Sequence, residues 1–129
     1  MIVDTSALAA IVFREDGFES LIDLLTDEGA SVATPATALV ELGIVLSNRL
    51  AMDARPIVNQ LVEQLGLEVI PFTSHHMNTA IGAYHRFGRG RHRAGLNFGD
   101  CCSYAVASIS GEPLLFVGDD FSHTDIEAY

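Results

Sequence analysis

Five acidic residues stand where a carboxylate could do chemistry. Asp4 follows the apolar run "MIV", Glu41 interrupts "ALVELGIVL", Asp100 precedes "CCSYAVA", and Asp119 and Asp120 follow "LLFVG". Each has a structural reading of its own. Asp4 can be a helix cap, Glu41 a residue on a narrow solvent-facing edge or one pointing into a cavity, Asp100 an acid favoured by a helix N-terminus, and Asp119 or Asp120 a turn residue. The chemical reading is collective. If Asp4, Glu41, Asp100 and Asp119 converge, each pair about 5 Å apart repels by roughly 3 kcal/mol at an effective dielectric of about 20. Such a cluster persists only with bound cations or raised pKa values. Oxygen-only donors suit Mg2+ or Mn2+ rather than Zn2+, and a divalent ion held by acids activates water and stabilises charge on a scissile phosphate. The reaction class this implies is metal-assisted phosphodiester hydrolysis without a covalent intermediate.

A second group has the opposite charge. Arg86, Arg89, Arg91 and Arg93 are four of only seven basic residues in a chain with 17 acids and a formal net charge of -10. A uniformly acidic protein is a poor partner for nucleic acid, because binding to phosphates draws on clustered positive charge. The segment "RGRHRAGLNFGD" concentrates that charge just ahead of Asp100, as a flexible, glycine-punctuated loop able to guide a polyanion to the acids. His85 and His92 flank it and would add charge at low pH. Tyr84, Phe87 and Phe98 could stack on bases, with packing the expected role for Phe98.

The elements that must position these residues follow from apolar patterning. "MIV" reads as a short buried strand, "SVATP" as an extended piece, "LEVIPF" as a strand stopped by Pro71 and "PLLFV" as a continuous apolar strand, and the stretches between them have helical length. Asp4 or Thr5 caps "TSALAAIVF", and Gly17 precedes "FESLIDLLTDE". Thr34 and Pro35 read as the N-cap and first residue of the helix "ATALVELGIVLSNRL". Asp53 is expected to cap "ARPIVNQLVEQL", "SHHMNTAIGAYHRF" is the next helix, with His75 and His76 as a surface pair, and "FGDCCSYAVASI" the last. Met52, Met77, Leu21 and Leu25 are expected in the core or a partner interface. Strands alternating with helices, each strand a continuous apolar run, imply an α/β fold with a doubly wound parallel sheet covered on both faces. Ligands in such folds bind beyond the carboxyl ends of the strands, where Asp4 and Asp119 are placed.

Composition narrows the function classes. The length, 129 residues, and the 49% apolar share fit one globular domain spanning 1–129 and exclude a disordered chain. The longest apolar runs are too short to span a bilayer and no basic residue precedes the first, so no membrane association and a cytoplasmic location are expected. Cys101 and Cys102 are adjacent, which gives neither a loop-closing disulfide nor a C-x-x-C pattern, and buried free thiols are expected. All seven basic residues are arginines. Without lysine a Walker A loop is impossible.

Taken together, "MIVDTSAL", the glutamate of "ALVELGIVL", "LNFGDCCSYAVA" and "LLFVGDDF" resemble the PIN-domain ribonucleases, most closely the VapC-type toxins of bacterial toxin–antitoxin systems. The similarity runs from residue 1 to about residue 125. It implies a PIN-like α/β/α sandwich around a central, mostly parallel sheet of about four to five strands. It also implies a Mg2+-dependent endoribonuclease, with Mn2+ as a substitute, in which Asp4, Glu41, Asp100 and Asp119 are catalytic and Asp4 and Asp100 hold the metal. Asp120 competes with Asp119 for the fourth position. Thr5 and Ser6 match small hydroxyl residues that orient a carboxylate or a metal-bound water. The partners implied are an RNA substrate contacted by Arg86, Arg89, Arg91 and Arg93, a cognate VapB-type antitoxin for which residues 5–27 would leave an apolar groove, and a second copy in a homodimer.

Two other readings compete. A phosphatase or receiver-type α/β enzyme also places an aspartate after a strand, but such sites employ a lysine, and Asp4 is followed by Thr5 and Ser6 rather than by a second aspartate two positions on. A non-catalytic PIN-like module that binds RNA or protein has no physical reason to keep unpaired carboxylates together.

Overall fold

The computed structural model describes residues 1–129. Ten elements follow in order: β1 (Ile2–Val3), α1 (Thr5–Val12), α2 (Phe18–Leu25), β2 (Ala33–Pro35), α3 (Ala36–Leu50), α4 (Arg55–Gln64), β3 (Glu68–Ile70), α5 (Ser74–Phe87), α6 (Phe98–Ser110) and β4 (Leu114–Leu115). The four strands form one sheet in the order β3-β2-β1-β4, and every pairing is parallel. Beyond β4, Leu114 bridges Ala128, so the chain's last residues cover that edge.

Alternation along the strands splits the core in two. Ile2, Ala33 and Leu114 face a cluster built with Ala83 and Phe87 of α5 and Tyr104 and Val106 of α6. Their neighbours Val3, Val32 and Leu115 face the other cluster, with Leu8 of α1, Leu25 of α2, Leu42 and Leu46 of α3 and Leu61 of α4. The result is the expected α/β/α sandwich. No helix is long and apolar enough to cross a membrane.

The strand order places the site. The chain builds β1, β2 and β3 outward in one direction and then returns to lay β4 on the other side of β1. The crevice at the carboxyl ends of β1 and β4 is therefore the switch point of the sheet, the place where open parallel sheets bind ligands.

Two expected caps are corrected. Pro35 is the last residue of β2 and the N-cap of α3, with φ -63° and ψ 141°, so the helix begins at Ala36. Thr34 does not cap it, because its hydroxyl is buried and donates to the Val3 carbonyl at 2.9 Å, tying β2 to β1. Ala54 is the N-cap of α4. Asp53 instead accepts from the Arg55 amide at 3.0 Å and pairs with its guanidinium at 2.6 Å.

Candidate active site

Asp4 leaves β1 and becomes the N-cap of α1. Its amide donates to the Leu115 carbonyl at 2.9 Å, which holds it at the β1/β4 crevice. Its Oδ2 accepts from the Ser6 amide at 2.9 Å and from the Ser6 hydroxyl at 2.6 Å. The same hydroxyl accepts from the Val117 amide at 3.1 Å, so Ser6 joins the acid after β1 to the segment after β4. The carboxylate is almost wholly buried, and Oδ1 has no protein donor.

Asp100 stands in the first turn of α6, fixed by a reciprocal capping box. Its amide donates to Asn97 Oδ1 at 2.9 Å, and the Asn97 amide donates to Asp100 Oδ2 at 3.0 Å. Burial pushes its pKa up to about 6, and the charges of Asp4, Asp120 and Glu41 add to the rise against the lowering effect of the Asn97 hydrogen bond. These acids lack a cationic partner, since the three ion pairs of the chain, Met1–Glu112, Arg55–Asp53 and Arg86–Asp125, involve none of them. Burial of like charges without a counterion is the electrostatic condition of a cation site.

Glu41 comes from the middle of α3, half-buried, and its carboxyl lies directly against the backbone of Gly99. Of its two sequence readings, the one that points it inward holds.

The fourth position has two candidates, Asp119 and Asp120. Asp119 and Asp120 are both exposed and follow Gly118, whose φ of 103° makes the turn out of β4. Asp120, and not Asp119, is among the charges that raise Asp100. Phe121, the next residue, is buried and packs against Phe116 with ring centroids 5.0 Å apart, which anchors the segment that carries both acids.

The four arginines also divide. Arg89, Arg91 and Arg93 are exposed and free of acidic partners, Arg91 resting over the Tyr84 ring at 5.4 Å. Arg86 is committed elsewhere, to Asp125 at 2.7 Å and the Tyr104 hydroxyl at 3.3 Å, while that hydroxyl donates to Asp125 at 2.6 Å. Arg86 thus ties α5 to the C-terminal segment, unlike the three unpaired arginines with which the sequence groups it. Nor is the arginine segment a loose loop. Arg89 N donates to Leu96 O and Leu96 N to Phe87 O, His92 Nδ1 accepts from Ala94 N at 3.1 Å, and Leu96 is fully buried.

Other side chains settle into simpler roles. His76 is buried, its Nδ1 accepting from the Thr73 amide at 3.0 Å, so His75 and His76 are not a surface pair. Phe98 is 80% exposed rather than packed, and Met52 and Met77 are about half exposed. Cys101 and Cys102 are buried free thiols, and burial pushes Cys101 up to about 11, far from a thiolate at neutral pH. Asn97 is a site residue that sequence reasoning passed over, although its position three residues before Asp100 is a capping-box spacing. The Arg86–Tyr104–Asp125 contact has no local signal at all.

The family model of the PIN domain matches residues 1–127. The chain belongs to the PIN-domain family. This PIN domain is 43% identical over 127 residues to ribonuclease VapC36 of Mycobacterium tuberculosis, covering 98% of the chain and 91% of that protein. Its fold is similar to that of Mycobacterium tuberculosis VapC20, described as a toxin that cleaves the sarcin-ricin loop, with a TM-score of 0.78 at 22% identity over 99% and 97% of the two chains. It is also similar to VapBC2 from Rickettsia felis bound to a DNA fragment of its promoter, with a TM-score of 0.66 at 16% identity over 98% and 94%.

Which residues could hold a metal follows from the donors left free. No three His, Cys, Asp or Glu side chains form a ready-made ligand set. Two carboxylates with free oxygens, Asp4 and Asp100, fit an ion that keeps much of its water, as Mg2+ does.

Proposed function

We propose that this PIN domain is a Mg2+-dependent endoribonuclease of the VapC type, the toxin of a toxin–antitoxin pair. The observation that carries the reading is the buried Asp100 carboxylate, surrounded by the charges of Asp4, Asp120 and Glu41 with no cation of the protein against them. When bound, Mg2+ supplies Lewis acidity, making a coordinated water more acidic and neutralising charge at the scissile phosphate.

The chain's own residues do the rest. Asp4 and Asp100 each have Oδ2 occupied, by Ser6 and by the Asn97 amide, which leaves Oδ1 of each for the ion. Pre-oriented carboxylates lose little entropy on closing around it. Glu41 and Asp120 border the same crevice and accept the proton of the attacking water as its oxygen bonds to phosphorus; the departing ribose oxygen takes a proton from solvent. Arg89, Arg91 and Arg93 bind flanking phosphates and offset the repulsion between RNA and an acidic body.

The antitoxin is a VapB-type chain, for which the Rickettsia felis complex is a structural precedent. A net charge of -10 favours a basic segment in such a partner. The exposed apolar side chains of Val40, Ile44, Met77, Ile81 and Phe98 are the face we assign to a second copy of the chain.

Purified protein is expected to cut structured RNA with Mg2+ or Mn2+ and to stop on chelation, with Asp4→Ala and Asp100→Ala inactive. Mapping the cleavage ends in total RNA after brief induction identifies the target. If both variants are as toxic in cells as the parent, the reading fails.

A further inference from the structure

Gly99 occupies the second position of α6, where glycine has no conformational justification. Its backbone is ordinary helix with negative φ, and alanine is the better helix former there. What explains it is space. A Cβ built on Gly99 would overlap Glu41 Oε2 and stand 2.8 Å from Glu41 Cδ and 2.9 Å from Oε1. The whole carboxyl of Glu41 thus rests in the volume that any other residue's side chain would take. Glycine leaves that volume open to the end of the Glu41 side chain, which any larger residue would have to displace.

We infer that Gly99 is a positioning residue for Glu41, holding its carboxylate inward, beside Asp100, by leaving a seat for it on the first turn of α6. The inference rests on the nuclease reading only for its consequence in catalysis; the seat itself is geometry. A methyl group at residue 99 need not disturb the fold, because the obstacle is the far end of a flexible side chain. In the free chain Glu41 and Gly99 themselves line a cavity of about 430 Å³ with Ala36 and Thr37, and that space lets the carboxylate swing away from residue 99. The cost falls on the direction in which Glu41 points. Asp4 and Asp100, held by Ser6 and Asn97, are not touched.

A double-mutant cycle with Gly99→Ala and Glu41→Ala tests this. Gly99→Ala should lower kcat about as far as Glu41→Ala, on the order of 10²-fold, with KM and calorimetric Mn2+ affinity within about threefold of the parent. Adding Gly99→Ala to Glu41→Ala should cost no further activity. The melting temperature gives a readout independent of activity: with Glu41 truncated the added methyl group meets no obstacle and should raise Tm by about 2–3 °C, more than it does in the parent. Parent-like kcat in Gly99→Ala beside an inactive Glu41→Ala overturns the inference alone, as do equal Tm shifts in both backgrounds. A fully active Glu41→Ala overturns the catalytic reading of Glu41 and the inference with it.

Discussion

Replacing Asp100 with asparagine in the metal-free protein should raise stability at neutral pH and leave it nearly unchanged near pH 4. The pKa of Asp100 rises from 3.8 to about 6 on folding, burial being the largest cause. The native state therefore holds the proton more tightly than the unfolded chain does, and stability is lost as pH climbs from about 4 through 6, the full penalty remaining above that. A rise of about two pKa units corresponds to roughly 3 kcal/mol, which solvent screening at the open crevice reduces to about 1–2 kcal/mol. Asparagine keeps an acceptor for the Asn97 amide and removes the charge. For a chain of 129 residues the gain is about 4–7 °C in Tm at pH 7.5. Calorimetry of both proteins from pH 4 to 8 in chelator measures it, and millimolar Mn2+ should reverse the order by stabilising only the parent. A variant no more stable than the parent at pH 7.5, or one whose advantage is the same at pH 4, would refute a charge-repelling site at Asp100.

Ser6→Ala removes the 2.6 Å donor to Asp4 and the acceptor for the Val117 amide, and titration calorimetry should find Mn2+ affinity lower by roughly 10–100-fold. Changing Arg89, Arg91 and Arg93 together to alanine should flatten the dependence of log K for RNA on log salt by up to about 2, at roughly 0.7 per phosphate contact. Arg86→Ala should leave that slope intact and lower Tm instead, because its guanidinium is held by Asp125 and Tyr104. Phe98→Asp places a charge on the exposed apolar face and should shift the protein to monomer in light scattering at micromolar concentration.

Helices with strong local signals were legible to within a residue. α3 and α5 run over Ala36–Leu50 and Ser74–Phe87, as the apolar patterning predicts, although Pro35 caps α3 rather than opening it. Strands were legible in place but not in length. "PLLFV" contributes only Leu114 and Leu115 to the sheet, and "LEVIPF" only Glu68–Ile70, because a ladder extends only as far as a neighbouring strand offers partners; β3, at the edge, pairs with β2 alone and leaves Glu68 and Val69 exposed. Among the candidate site residues, the positions of Asp4 and Asp100 follow a local rule, a cap after a strand and an acid in a first helical turn. Asp119 and Asp120 are adjacent in one exposed turn, and which of them acts on Asp100 is set by the packed fold, with no local signal. The pairing of Arg86 with Asp125 has no local signal either, since the two are 39 positions apart and only the packed fold brings them together.

The charge distribution makes one physical argument out of these parts. An acidic crevice that attracts a divalent ion also repels RNA, and a protein of net charge -10 cannot resolve that conflict by its overall field. The fold resolves it by segregation. Asp125 neutralises Arg86, the arginine next to the core, while Arg89, Arg91 and Arg93 stay free on a turn whose ends are tied to Phe87 and Leu96. That tie holds the cationic turn immediately before α6, the helix whose first turn carries both Asp100 and the glycine seat of Glu41. Under the nuclease reading, the arginines proposed to meet phosphate and the acid proposed to hold the metal stand at opposite ends of one short segment, Arg89 to Asp100, so that cationic and anionic charge are kept apart along the chain rather than paired.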